Sequence, residues 1–247
     1  MDVARHRPVT RANAPVGLLL VAATTWAAGC SIIGPTTATS FLNQIEQSPD
    51  PNVRYKAYQA LASPRAYDEA SQKDRAVRVM LERLESGREP MATRAVICRT
   101  LGQVGDPAAR EAMIRLVRDP SAEIRAEALA ALGKIGRPED ATVLMQAMKL
   151  DADPNCQVAA IESLGLLKSA DPRTAGYLVQ SMENDDPAIR LAAVRSLRKI
   201  TGKDLGVKAE AWRGYVSSRA NAPEAPLPLV DRATAPASAG PASAPRR

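Results

Sequence analysis

Histidine is almost missing from this 247-residue chain: His6 is the only one. A His-dependent triad, a His base and a His-ligated zinc site therefore have nothing to be built from beyond the first few residues. Aromatic residues are nearly as scarce, at 3% with a single Phe, and few β-branched runs alternate with polar residues. A sheet core is disfavoured on both counts. No glycine-rich phosphate loop occurs, because Gly202-Lys203 lacks the upstream glycine spacing. The paired carboxylates Asp185 and Asp186, or Glu139 and Asp140, stand where helices should start, and capping accounts for them without chemistry. The sequence thus offers no catalytic residue, no metal site and no cofactor site.

What it has in quantity is Ala, Leu, Val and Ile, which carry most of the 45% apolar content and favour helix. The formal charge is +6, but the first eleven residues hold three Arg against one Asp, and without them the excess is about +4. Spread over a long surface, that surplus is too thin to mark a nucleic-acid partner.

Arg5, Arg7 and Arg11 precede an uncharged stretch from Val16 to Gly29 that ends in Ala27-Ala28-Gly29-Cys30. Basic, then apolar, then small is the layout of an export signal, and fourteen residues are too few to span a bilayer. The ending resembles the lipobox of bacterial lipoproteins, closely at Gly29 and Cys30 and less so at Ala27. The resemblance implies cleavage before Cys30, acylation of its thiol and anchoring in a membrane of the cell envelope. Several acyl chains, at about 0.8 kcal/mol per buried methylene, hold a protein stably. Ser31 lacks the Asp that retains family members in the inner membrane, which points to the outer membrane. An ordinary signal peptide or a short transmembrane stub, with Cys30 incidental, is the alternative. The expected organisation is a signal peptide over 1–29, a linker over 30–39, a solenoid over 40–219 and an Ala/Pro-rich disordered tail over 220–247.

The body of the chain repeats. Segments beginning at Asp50-Pro51, Glu89-Pro90, Asp119-Pro120, Asp153-Pro154 and Asp186-Pro187 superimpose on a position occupied by Arg54, Arg94, Arg125, Gln157 and Arg190. One residue earlier stand Val53, Thr93, Ile124, Cys156 and Ile189. Three residues later come Ala57, Ile97, Ala128, Ala160 and Ala193, and seven later Leu61, Leu101, Leu132, Leu164 and Leu197. Val104, Ile135, Leu167 and Ile200 close the pattern, and the spacing is helical. An acidic residue before Pro starts a helix, since the carboxylate caps free amides and Pro forgoes one that had no partner. Asp106-Pro107, Arg137-Pro138 and Asp171-Pro172 supply a second start per repeat, and Gly102, Gly133 and Gly165 fall near the ends of the preceding helices. Two helices of about 12 to 16 residues per repeat, each needing its neighbours for burial, make an all-α solenoid. Residues 63–73 lengthen the first spacing.

The pattern resembles HEAT repeats, particularly the short type of the phycobilisome lyases; Asp119 through Gly133 and Asp186 through Leu197 carry it best. The resemblance implies about five hairpins closed by a C-terminal helix holding Trp212 and Tyr215. It implies little about function, because the fold hosts scaffolds, adaptors, lyases and glycosylases alike. The expectation is an adaptor whose partner is another protein, with a lyase on the same frame as the alternative.

Arg54, Arg94, Arg125 and Arg190 lie between apolar columns, so each charge must be paired, and Asp119, Asp153 and Asp186 are the expected partners. Cys98 and Cys156 fall on core columns two repeats apart, so they should be buried and unbridged. Subtracting the buried columns leaves Lys56, Gln59, Arg99, Gln103, Glu127, Lys134, Glu162, Arg195 and Lys199 on the opposite side of the second helices. By resemblance these form one continuous inner ridge, the candidate partner-binding surface; a merely solvated face is the alternative.

Overall fold

A computed structural model describes residues 37–169 and 171–220, and no strand occurs among them. The expected signal segment over 1–29, Cys30 with the expected linker as far as residue 36, and the residues after Ala220 lie outside the described part. Two rows of helices alternate along the chain. The odd row is α1 (Ala38–Gln47), α3 (Ala70–Ser86), α5 (Arg110–Leu116), α7 (Ala141–Leu150), α9 (Pro172–Ser181) and α11 (Ala209–Ala220). The even row is α2 (Pro51–Ala60), α4 (Met91–Val104), α6 (Ala122–Ile135), α8 (Pro154–Leu167) and α10 (Pro187–Thr201). Each odd helix packs on the even helix that follows, and each even helix on the next even one. This is the α-solenoid of five hairpins and a closing helix that the repeat implies.

The starts form as their chemistry dictates. Asp50, Asp153 and Asp186 each accept a hydrogen bond from the amide two residues on, at 2.8, 2.8 and 2.7 Å, with Pro at the first helical position. Helices α5 and α7 are shorter than expected, because they open with three-residue 3₁₀ turns at Pro107–Ala109 and Pro138–Asp140. The extra residues of the first spacing form the turn Pro64–Ala66 and the elongated α3.

The apolar columns are the core. All five residues three after the arginine position and all five seven after it are buried, from Ala57 to Ala193 and from Leu61 to Leu197. Cys98 and Cys156 are buried and free. Trp212 is fully buried under α11, its indole N–H donating to Gly206 O at 2.9 Å, so the cap closes the last apolar face. No described helix is long and apolar enough to cross a membrane.

The glycines fall near the helix ends, as expected, but do not cap them. Gly102, Gly133 and Gly165 do not end helices; the ends are Gly105 at φ 72°, Gly136, and Lys168 in the left-handed region at φ 48°. The three glycines instead sit where the next even helix crosses. A Cβ on Gly133 would stand 2.7 Å from Ser163 Cα, one on Gly165 2.9 Å from Ser196 Cα, and one on Gly102 2.7 Å from Ala131 Cα. At the crossing, Ser163 Oγ donates to Leu129 O and Ser196 Oγ to Ile161 O, both at 2.8 Å, and Thr100 Oγ1 donates to Tyr58 O at 3.1 Å. Even helices are therefore riveted backbone to side chain, while α5 meets its odd-row neighbours α3 and α7 only marginally.

Candidate functional site

The arginine position runs along the edge where odd helices turn into even ones. Arg125 Nη1 donates to Asp119 O and Pro120 O of its own turn at 3.0 and 3.1 Å, and its Nε and Nη2 hold both oxygens of Asp151 at 2.8 Å. Arg54 does the same with Ser48 O and Pro49 O on one side and Glu89 on the other. Arg94 reaches Asp119 at 2.8 Å, but its buried Nε has no hydrogen-bond partner. Each rung thus ties one repeat to the next. The guanidinium beside Asp151 is the main cause of that carboxyl's lowered pKa.

Two of the expected partners are wrong, for a geometric reason. Asp153 and Asp186 stand four residues before the arginine position and are spent capping their own helices. The pairing carboxylates Asp119 and Asp151 stand six before it, two residues earlier in the loop and within reach of the preceding repeat. Aligning every Asp-Pro start merges the two columns, and the clue that separates them is that Asp119 lies two residues further from its arginine than Asp50, Asp153 or Asp186 does. Arg190 has no carboxylate partner among the described residues and donates only to Asn184 O and Asp185 O at 2.9 and 2.7 Å. A second, unexpected rung joins Arg110 to the buried Asp140, which also accepts from the Arg137 amide at 2.8 Å.

Two carboxylates account for most of the buried acid. Glu89, its side chain 1% exposed, gathers Arg54, Arg83 at 3.9 Å and the Tyr58 hydroxyl, which donates to it at 3.1 Å. Burial first, then the charge of Glu89, pushes the Tyr58 pKa far up, so this hydroxyl stays protonated.

The candidate ridge lies on the face of the even row turned away from the odd row, but it is neither continuous nor free along its length. Arg99 is bound to Glu127, and Arg195 stands 3.8 Å from Glu162. Between these pairs the third repeat presents Ala130, and Leu166, 44% exposed, occupies the place where a fourth-repeat polar residue would stand. Gln59 and Gln103 are exposed. Lys56, Lys134 and Lys199 are exposed and have no hydrogen-bond or ion-pair partner among the described residues.

The groups that could do acid-base or nucleophilic work are poorly poised. Burial pushes the Cys98 thiol up to about 12 and Cys156 to about 11, so neither supplies much thiolate near neutral pH. A cleft of about 280 Å³ is lined by Tyr67, Asp68, Glu69 and Lys73, but the Tyr67 hydroxyl donates to Leu61 O at 2.6 Å and burial holds its pKa at about 12. Among the described residues no three acidic, Cys or His side chains gather as a metal site.

The repeats match HEAT repeats over residues 77–165 and 142–211, more than half of the chain. The chain belongs to the HEAT-repeat family. Its fold is similar to the complex of CpcE and CpcF of phycocyanin lyase from Nostoc sp. PCC7120, at a TM-score of 0.54 and 20% identity over 80% of this chain and 71% of that one. At that identity the likeness is one of fold. No match was found among curated proteins.

Proposed function

We propose that this HEAT-repeat protein is an interaction scaffold, that the exposed face of its even row is the surface a partner protein meets, and that it performs no catalysis itself. The observation that carries the reading is the charge left over on that face. Glu127 and Glu162 are occupied by arginines, whereas Lys56, Lys134 and Lys199 answer to nothing. A partner with an acidic surface is attracted and oriented by such a row, and its attachment weakens with salt. Acylation at Cys30 would hold the scaffold at the envelope, most naturally the outer membrane.

The test is capture of cross-linked partners by the full chain carrying Lys56→Glu, Lys134→Glu and Lys199→Glu, with circular dichroism confirming the fold. Loss of the captured protein supports the reading, and undiminished capture moves the surface elsewhere. Metabolic labelling with a clickable fatty acid checks the anchor: Cys30→Ala should abolish the label, and a label that survives refutes it. A lyase is the second reading, favoured by the likeness to the phycocyanin lyase complex. Turnover that is lost when Tyr67→Phe and Lys73→Ala are made in the 280 Å³ cleft would establish it.

A further inference from the structure

We propose that the open edge between the fourth and fifth repeats is a second binding site, which takes the main chain of an extended, acidic polypeptide segment. This goes beyond the even-row surface and does not depend on it.

At the three earlier junctions the edge is closed by a guanidinium bound to a carboxylate of the next repeat. At this one both partners have been exchanged together: Gln157 stands at the arginine position, and Asn184 stands six residues before Arg190, where Asp119 and Asp151 stand in their repeats. The two amides do not bridge the gap. Gln157 Nε2 donates to Asp151 O of its own turn at 2.7 Å, and Asn184 Oδ1 accepts from the Asp186 amide at 2.9 Å. The oxygen of Gln157 and the nitrogen of Asn184 remain, one acceptor and one donor, in the lining of a cleft of about 470 Å³.

An acceptor and a donor lining one cleft are the complement of a peptide group, which brings one N–H and one C=O. The rest of the cleft says what the peptide carries. Its one carboxylate, Glu183, is engaged by Arg213 of α11, whereas Lys149 is held with its ammonium 4.5 Å above the Tyr177 ring and has no carboxylate partner among the described residues. A carboxylate of the ligand can reach that ammonium without displacing a native pair. A second cleft of about 240 Å³ shares Lys149 and Tyr177 with the first and is bordered by Leu150, 72% exposed. Two clefts side by side across one aromatic ring suit an extended segment, which advances about 3.3 Å per residue and offers an apolar side chain to Leu150 beyond the carboxylate. A neutral oligosaccharide could satisfy the amides but would leave Lys149 unanswered.

The neighbouring junction supplies the test. Gln157→Arg with Asn184→Asp rebuilds the rung that Arg125 and Asp151 form one repeat earlier, so the variant should fold, and it closes the cleft. A phage-displayed library of short linear peptides is selected against the full chain, and the enriched peptides are measured by fluorescence anisotropy. The expected peptides carry Asp or Glu, lose affinity about tenfold or more on the rebuilt variant, and weaken in Lys149→Gln. Their affinity should not change in the Lys56→Glu, Lys134→Glu, Lys199→Glu protein, which separates this site from the even-row surface. Peptides that bind the rebuilt variant as tightly as the native chain overturn the proposal. So does the absence of acidic enrichment, or a neutral glucan or chitin oligosaccharide that competes them off.

Discussion

The junction between the third and fourth repeats and the junction between the fourth and fifth share everything except their edge. Both have the Leu and Ala columns, and both have a glycine, Gly133 or Gly165, under a serine that donates to the preceding helix. One is locked at the turn by Arg125 and Asp151; the other has Gln157 and Asn184 there and stands open. Stacking is therefore the work of the columns and the crossing, and the charged rung is an addition to it. Removing both charges at once is also the tolerable way to lose a rung, since one partner left behind would be a buried charge without compensation.

Breaking the comparison at its charged side should give the largest effect. Arg125→Ala leaves Asp151, only 7% exposed, without its cation. It should cost about 3 kcal/mol, the lower end for a broken buried pair because the guanidinium is partly solvated. Gln157→Ala breaks one hydrogen bond to a backbone carbonyl and should cost about 1 kcal/mol. Denaturation midpoints of the two variants compare them directly, and equal shifts would show that the rung contributes nothing.

The shared side comes next. Alanine in place of a mid-helix glycine ordinarily stabilises by about 1 kcal/mol, but here the new methyl meets the Cα of the crossing helix. Gly133→Ala and Gly165→Ala should each destabilise by about 2 kcal/mol net, and by similar amounts, because the two crossings are alike. A stabilised variant, or strongly unequal ones, would break the likeness of the junctions.

The smallest effect is acid sensitivity. The folded-state pKa of Asp151 is depressed below its ordinary 3.8, chiefly by the hydrogen bond from Arg125. The stability it contributes is complete above that value and is lost as pH falls through the lower, folded one. Hydrogen-exchange protection around Leu129 to Ile135 should therefore loosen below about pH 4 in the native chain, and Asp151→Asn should remove that step. A native-like step in Asp151→Asn would assign it to other carboxylates.

The columns were legible because helical burial depends on local spacing, and every leucine seven residues after the arginine position is buried as its period requires. What the spacing hid was contact across repeats. Gly133 reads as a helix end because glycine commonly is one; only the crossing of α8 reveals it as clearance, although the small residues Ala131, Ser163 and Ser196 in the facing register were a signal. The same holds for the ridge: a helical wheel places Arg99 and Arg195 on the open face but does not show that Glu127 and Glu162 of adjacent helices take them. The closing helix was foreseen from Trp212 and Tyr215, whose rings meet edge to face at 6.4 Å.

That closing helix also bears on how many molecules stack. A repeat array is in principle open at its end, because the face that welcomes one more hairpin of its own chain equally welcomes the first hairpin of another, and copies could add head to tail without limit. α11 covers that face with the buried Trp212 and leaves Glu210 and Ser217 exposed. Trp212 thus acts as a chain terminator in the polymer sense, filling the place on the fifth hairpin that a sixth would take.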